Sequence, residues 1–160
     1  MEFTSEQRIW FDRVLAAVAA AETGPSDADI ASAPALDRWR PAISPQGHLI
    51  LWGTVSGHPI LGDNHITTSQ LIAINAAAGW ARTVSRWYRL AQPLAAFESD
   101  LMASMGPRPA EPARMLFELP GFQSIEDLEL LPRLLAAYIR RVRELDAMDR
   151  ASRLAAKQTG

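Results

Sequence analysis

The apolar positions of the chain follow a helical period at both ends and something closer to a strand period in the middle. Near the N-terminus Phe11, Val14, Leu15 and Val18 recur at helical spacing, with Glu6, Arg8, Asp12 and Arg13 largely off that face. Thr4-Ser5-Glu6-Gln7 opens this run as a capping box, in which Thr4 accepts from the Gln7 amide while Gln7 reaches back. The pattern predicts a helix over 5–22, ended before Gly24-Pro25. Ser26 and Asp29 cap a second, short helical turn that stops before Pro34. Residues 36–41 then lead through a proline-punctuated loop over 41–45 into the first strand, with Trp39 anchoring that loop on the core.

Residues 48–55 (HLILWGTV) alternate, and both faces carry apolar bulk, as in a strand covered on both sides. Gly57, Pro59 and the Gly62-Asp63-Asn64 cluster make 57–64 a hairpin connection. Residues 65–75 read as the second strand, Asn75 to Gly79 as a turn, and 80–90 as the third strand. One helix starting at Thr68 or Ser69 is the competing reading, with Leu71, Ile72, Ala76, Ala77, Trp80, Val84, Trp87 and Tyr88 roughly in phase. Gly79 in mid-run and the β-branched and aromatic content oppose it. The turn chemistry favours an antiparallel three-stranded meander.

Three blocks of this region share a pattern: W-G-x-V-x-G-H-P-x-L-x-D from Trp52, I-x-T-S from Ile66, and R-T-x-S-x-x-Y-x-L from Arg82. The pattern resembles a group of small uncharacterised bacterial proteins. That resemblance covers about the middle third of the chain and implies that the three blocks form one unit; it brings no activity with it.

Beyond the meander, Pro93 begins a helix to about Met105, with Leu94, Phe97, Leu101 and Met105 in phase. Three prolines between Pro107 and Pro112 predict an extended spacer. The organisation expected is therefore a body over 1–106, a spacer over 107–123 containing a short apolar element at 114–119, and a C-terminal helical arm over 124–157, packed on the body as one domain. In that arm Leu131, Leu135, Tyr138, Val142 and Leu145 are spaced 4, 3, 4 and 3, a stripe for core packing or for a second copy of the chain.

Composition narrows the classes. A length of 160 residues suits one domain, and 48% hydrophobic with 21% charged residues excludes wholesale disorder. There is no cysteine, hence no disulfide, thiolate ligand or thiol nucleophile. The first ten residues lack the basic start and apolar run of a signal peptide, and the apolar run at 14–21 is too short to span a bilayer. A cytoplasmic protein without a membrane partner is expected. Of the 16 basic residues all but Lys157 are Arg, which reads as the bias of a GC-rich bacterial genome. A net charge of −2 gives no global drive toward nucleic acid.

Candidate chemistry is sparse. His58, Asp63 and His65 offer two imidazoles and a carboxylate for a divalent metal, and so a metal-dependent hydrolase centred on His58. Their spacing matches no metal motif, and hydrogen bonding within a hairpin explains them as well. Ser56, Thr67, Thr68 and Ser69 sit in no nucleophile elbow. No resident cofactor is expected. Trp80, Arg82, Arg86 and Tyr88 share one face of the third predicted strand, a guanidinium-and-ring combination suited to a protein partner or to single-stranded nucleic acid. The bland alternative seats the rings in the core and pairs the arginines with acids such as Asp63, Glu98 or Asp100.

The fold expected is α+β: an N-terminal helix, the three-stranded meander, and helices closing over it. The function expected is a non-catalytic bacterial binding or regulatory protein, acting on a protein partner through the sheet surface and the C-terminal arm.

Overall fold

A computed structural model of the protein describes residues 1–105 and 120–160. The fold is α+β. Helices α1 (Ser5–Thr23) and α2 (Asp27–Ser32) precede six strands: β1 (Ala35–Ile43), β2 (Leu49–His58), β3 (Gly62–Thr67), β4 (Leu71–Asn75), β5 (Trp80–Thr83) and β6 (Trp87–Leu90). Helix α3 (Leu94–Met105), the short β7 (Gln123–Ser124) and the long α4 (Leu130–Gln158) follow. Both predicted capping boxes form: Thr4 with Gln7, and Ser26 with Asp29. Among the described residues no helix is long and apolar enough to cross a membrane.

The central region is pleated, not helical, but it is larger than a three-stranded antiparallel meander. Strands run in the order β3-β2-β1-β6-β5-β4, with β7 added beside β1, and the β1–β6 pair is parallel. The lead-in over 36–41 and the start of the loop expected over 41–45 form the central strand β1. Pro41 hides this strand in the sequence because it supplies no ladder donor. Its carbonyl accepts from the Ile125 N–H, so the missing donor falls on the side of β1 where β6 pairs only Ala35 and Leu36 and β7 only Ala42 and Ile43. The strand expected over 65–75 is split at Thr68–Gln70 into β3 and β4. The strand expected over 80–90 is a hairpin: the Thr83 hydroxyl accepts from the Ser85 and Arg86 amides and folds the chain back between β5 and β6.

The two end strands of the order, β3 and β4, are consecutive in the chain and separated by only three residues. In a flat sheet the five inter-strand gaps would set them about 24 Å apart, whereas four Cα–Cα steps reach at most about 14 Å. The sheet therefore curls. Thr68 N–H donates to the Leu51 carbonyl and Val84 N–H to the Gln70 carbonyl, tying the link to β2 on one side and to the β5–β6 turn on the other. The curl also explains a core cluster to which every one of the six strands contributes: Leu36 and Trp39, Leu51 and Val55, Ile66, Leu71, Ala81 and Tyr88. Leu135 of α4 joins it from outside the sheet.

A second cluster lies on the other side of β4. Ile72 and Val84 meet Val14, Ala17 and Val18 of α1 and Val142 of α4. The same two helices are clamped by charge. Arg8 reaches Asp12 (2.6 Å), Asp146 (2.7 Å) and the fully buried Asp149 (3.2 Å), which also accepts from the Phe3 N–H and from Arg153. The Asp12 carboxylate leads in raising the Arg8 pKa above the ordinary arginine range. Burial works against the charge on Asp149, but the Phe3 N–H, Arg153 and Arg8 outweigh it and hold its carboxyl below the usual range.

The predicted spacer and the apolar element at 114–119 lie, up to residue 119, outside the described residues; residues 123–124 pair with Ile43 and Ala42 as β7. Pro132 sits in the first turn of α4, where a missing N–H costs nothing.

Strand β1 is bulged between Asp37 and Arg40, with Arg38 in the left-handed region at φ 50°. Gly53 of β2 faces this bulge, where an added Cβ would stand 2.8 Å from the Asp37 carbonyl oxygen and 3.1 Å from the Trp39 Cα. Both obstacles are backbone, so Gly53→Ala is expected to lower stability by about 1–3 kcal/mol, in line with overpacking elsewhere. Urea unfolding reads this directly, and an unchanged midpoint would show that β1 and β2 do not approach so closely.

Candidate functional site

The four residues expected on one face do not share one. In the β5–β6 hairpin Trp80 pairs with Arg89, Ala81 with Tyr88, and Arg82 with Trp87. Directly opposed residues point to the same side of a sheet, so Trp80, Arg82, Trp87 and Arg89 form one face while Tyr88 turns into the core. Trp80 meets Trp87 edge-on at 5.4 Å, and the Arg82 guanidinium stands 5.2 Å from the Trp87 ring. Arg82 is half-buried; burial lowers its pKa, with Asp29 of α2 opposing. The acid beside it is thus Asp29, not Asp63, Glu98 or Asp100. Arg86 lies in the turn, close enough to His58 for its charge to act there. Helix α2 packs on β6, and the Arg89 Nε donates to the Ala33 carbonyl. What remains is a half-covered ring-and-guanidinium ladder without the Tyr88 stacking surface.

His58, Asp63 and His65 have separate structural tasks. The His58 Nδ1 accepts from the Ile60 and Leu61 amides (3.1 and 3.0 Å), and Asp63 accepts from the Gly57 amide. His65 hydrogen-bonds Thr54 across the strand pair. His58 pairs with Gly62 and His65 with Thr54, which puts the two histidines about 10–13 Å apart along the ribbon. That is too far for one ion, whose ligand nitrogens lie about 2 Å from it. Among the described residues no group of three or more His, Asp or Glu side chains converges as a metal site. Of the hydroxyls weighed as nucleophiles, Thr68 accepts from the Leu51 amide and donates to the Ser69 carbonyl, and so belongs to the closure of the sheet.

The stripe on α4 is largely covered by the protein itself: Leu131, Leu135 and Val142 are buried, Leu135 in the inner cluster and Val142 in the outer one, and Tyr138 and Leu145 are half-buried.

A cleft opens where α4 crosses the curled sheet. Its walls come from α1 (Trp10), the end of β1 and the start of β2 (Ile43, Gly47, His48, Leu49), the β3–β4 link (Gln70, Leu71) and α4 (Leu134, Leu135, Tyr138), and it encloses about 250 Å³. Leu71 and Leu135 belong to the core, so the floor is the core itself. Gln70 is buried at 7% exposure. Burial raises the Tyr138 pKa, with the Gln70 side chain opposing, and the phenol stays protonated at neutral pH. Leu134 stands exposed at the rim (43%). Four of these residues, Trp10, His48, Gln70 and Leu134, carry no mark of a site in the sequence. Only Leu134 could have been suspected, as a leucine beside the stripe and not on it.

The His58 cap makes one prediction. Burial, with the Arg86 charge adding, lowers the His58 pKa below the ordinary value of about 6.5. Below that pH the unfolded chain takes up a proton that the folded protein resists. Stability present above pH 6.5 is therefore lost as the pH falls toward the folded pKa. Urea unfolding at pH 7 and pH 5 is expected to show that loss, and His58→Asn, which keeps an acceptor but does not titrate, is expected to shrink it; an equal loss in the variant would assign it elsewhere.

No curated protein and no solved structure matches the chain. Residues 1–156 match the profile of a family of unknown function (DUF6634), and the chain belongs to that family.

Proposed function

We propose that the protein is a non-catalytic binding protein that acts through a protein partner, and that the partner's anchoring side chain enters the cleft between α1, α4 and the curled sheet. The observation that carries this reading is the cleft itself: an indole, a phenol and four leucines surround a space that reaches the core. Interface energy concentrates where an anchor residue fills such a desolvated pocket. At about 250 Å³ the space falls below the usual range for cofactor-sized ligands and suits one side chain. The exposed Leu134 on α4 extends the apolar surface at its rim. The Arg82 and Trp80 face supports a nucleic-acid reading less well, because half of its cations are covered and Tyr88 is inside. A bacterial cytoplasmic setting belongs to the same proposal and rests on the arginine bias and the cysteine-free composition.

Selection of a random peptide library on the intact protein tests this reading. The enriched peptides are expected to carry a bulky apolar or aromatic anchor, and Leu134→Asp is expected to weaken them about tenfold or more without changing Tm. Peptides indifferent to Leu134→Asp would place any docking elsewhere.

A further inference from the structure

Resting on that docking reading, we infer that the anchor taken by the cleft is an aromatic ring with a hydrogen-bonding edge, a phenol or an indole, carried next to an acidic residue. Three observations bear on this, one each from the walls, the floor and the rim.

The walls exclude a charged anchor. No Arg, Lys, Asp or Glu lines the cleft, and His48, exposed at its mouth, is the one ordinary titratable group there besides Tyr138. An ionised side chain pushed between Trp10, Leu49, Leu71 and Leu135 would lose its water with no opposite charge to meet.

The floor disfavours a purely aliphatic anchor. The Gln70 amide has two donors and acceptor capacity for two more bonds, and the group it is shown to act on is the Tyr138 phenol. Gln70 lines the cleft, so the rest of that capacity is open to a group that enters it. An alkyl group would leave the amide short of partners. A phenolic O–H or an indole N–H supplies one, while its ring lies against Trp10 and Tyr138.

A charge stands beside one of the rim's rings. The Arg13 guanidinium stands 6.0 Å from the Trp10 ring, is exposed, and has no ion pair among the described residues. Glu6 lies two turns before Arg13 on the same helix, and Arg141, a turn beyond Tyr138 on α4, is already engaged with Glu144. A flanking acid on the Arg13 side of the ring is therefore complementary, and a flanking base is not.

The test uses the full chain and small probes followed by amide and indole NMR shifts. p-Cresol and indole are expected to move the Gln70, Leu71 and Trp10 signals and to bind about threefold or more tighter than toluene. Gln70→Leu and Tyr138→Phe are expected to erase that preference while toluene still binds, and the two variants together guard against one that merely misfolds. Blocked Asp-Tyr dipeptide is expected to outbind Lys-Tyr, with the order reversed in Arg13→Glu. Toluene binding as tightly as p-cresol, or Asp-Tyr and Lys-Tyr binding equally, overturns the anchor's chemistry and leaves the docking reading standing. Probes that fill the cleft while selected peptides ignore Leu134→Asp overturn the docking reading alone. No shift at the cleft with any probe overturns both.

Discussion

Three residues, Thr68 to Gln70, decide the shape of this protein. They join the two strands that stand at opposite ends of the sheet order, and so short a link permits no flat sheet. Once the sheet curls, side chains from all six strands meet in one cluster and the outer face of β4 is turned toward α1 and α4. The helices then have one place to sit. Helix α4 enters beside the inner cluster through Leu135 and leaves along the outer cluster through Val142. The cleft is the space this crossing leaves open, so its position follows from the link and not from any local motif.

The same dependence explains what could be read along the chain. Both N-terminal caps, the run of α1 and the start of α3 rest on interactions between residues three or four apart, and those are written in the sequence as neighbours. The pleated character of the middle was legible for a similar reason, since Gly57, Gly62 and Gly79 mark positions with positive φ. Strand β1 was not legible. Its proline is harmless only because no residue of β6 or β7 stands opposite it in the ladder, a fact supplied more than thirty residues away. The division of 80–90 was hidden for a smaller reason: one threonine hydroxyl taking two amides makes a turn without glycine or proline.

The candidate sites divide along the same line. The residues that look chemical in the sequence, His58, Asp63 and His65, are spent on holding the β2–β3 hairpin. Of the residues that look like an interface, Leu135, Tyr138 and Val142 are spent on the protein's own core. Tyr88 goes inward because the register of β5 and β6 sets it opposite Ala81, and a period-two reading of 80–90 as one strand put it on the wrong side. The cleft draws on four separate parts of the chain, from Trp10 to Tyr138, and none of them is distinctive alone.

Hydrogen exchange at the Thr68 and Val84 amides tests the curled sheet most directly, because these two donate to Leu51 and Gln70 across the link between the end strands. The account predicts that both exchange as slowly as the amides in the middle of β2, opening only with global unfolding. Exchange as fast as in an exposed loop would mean that the sheet is open at this point. The shared core and the cleft beneath α4 would then both be lost.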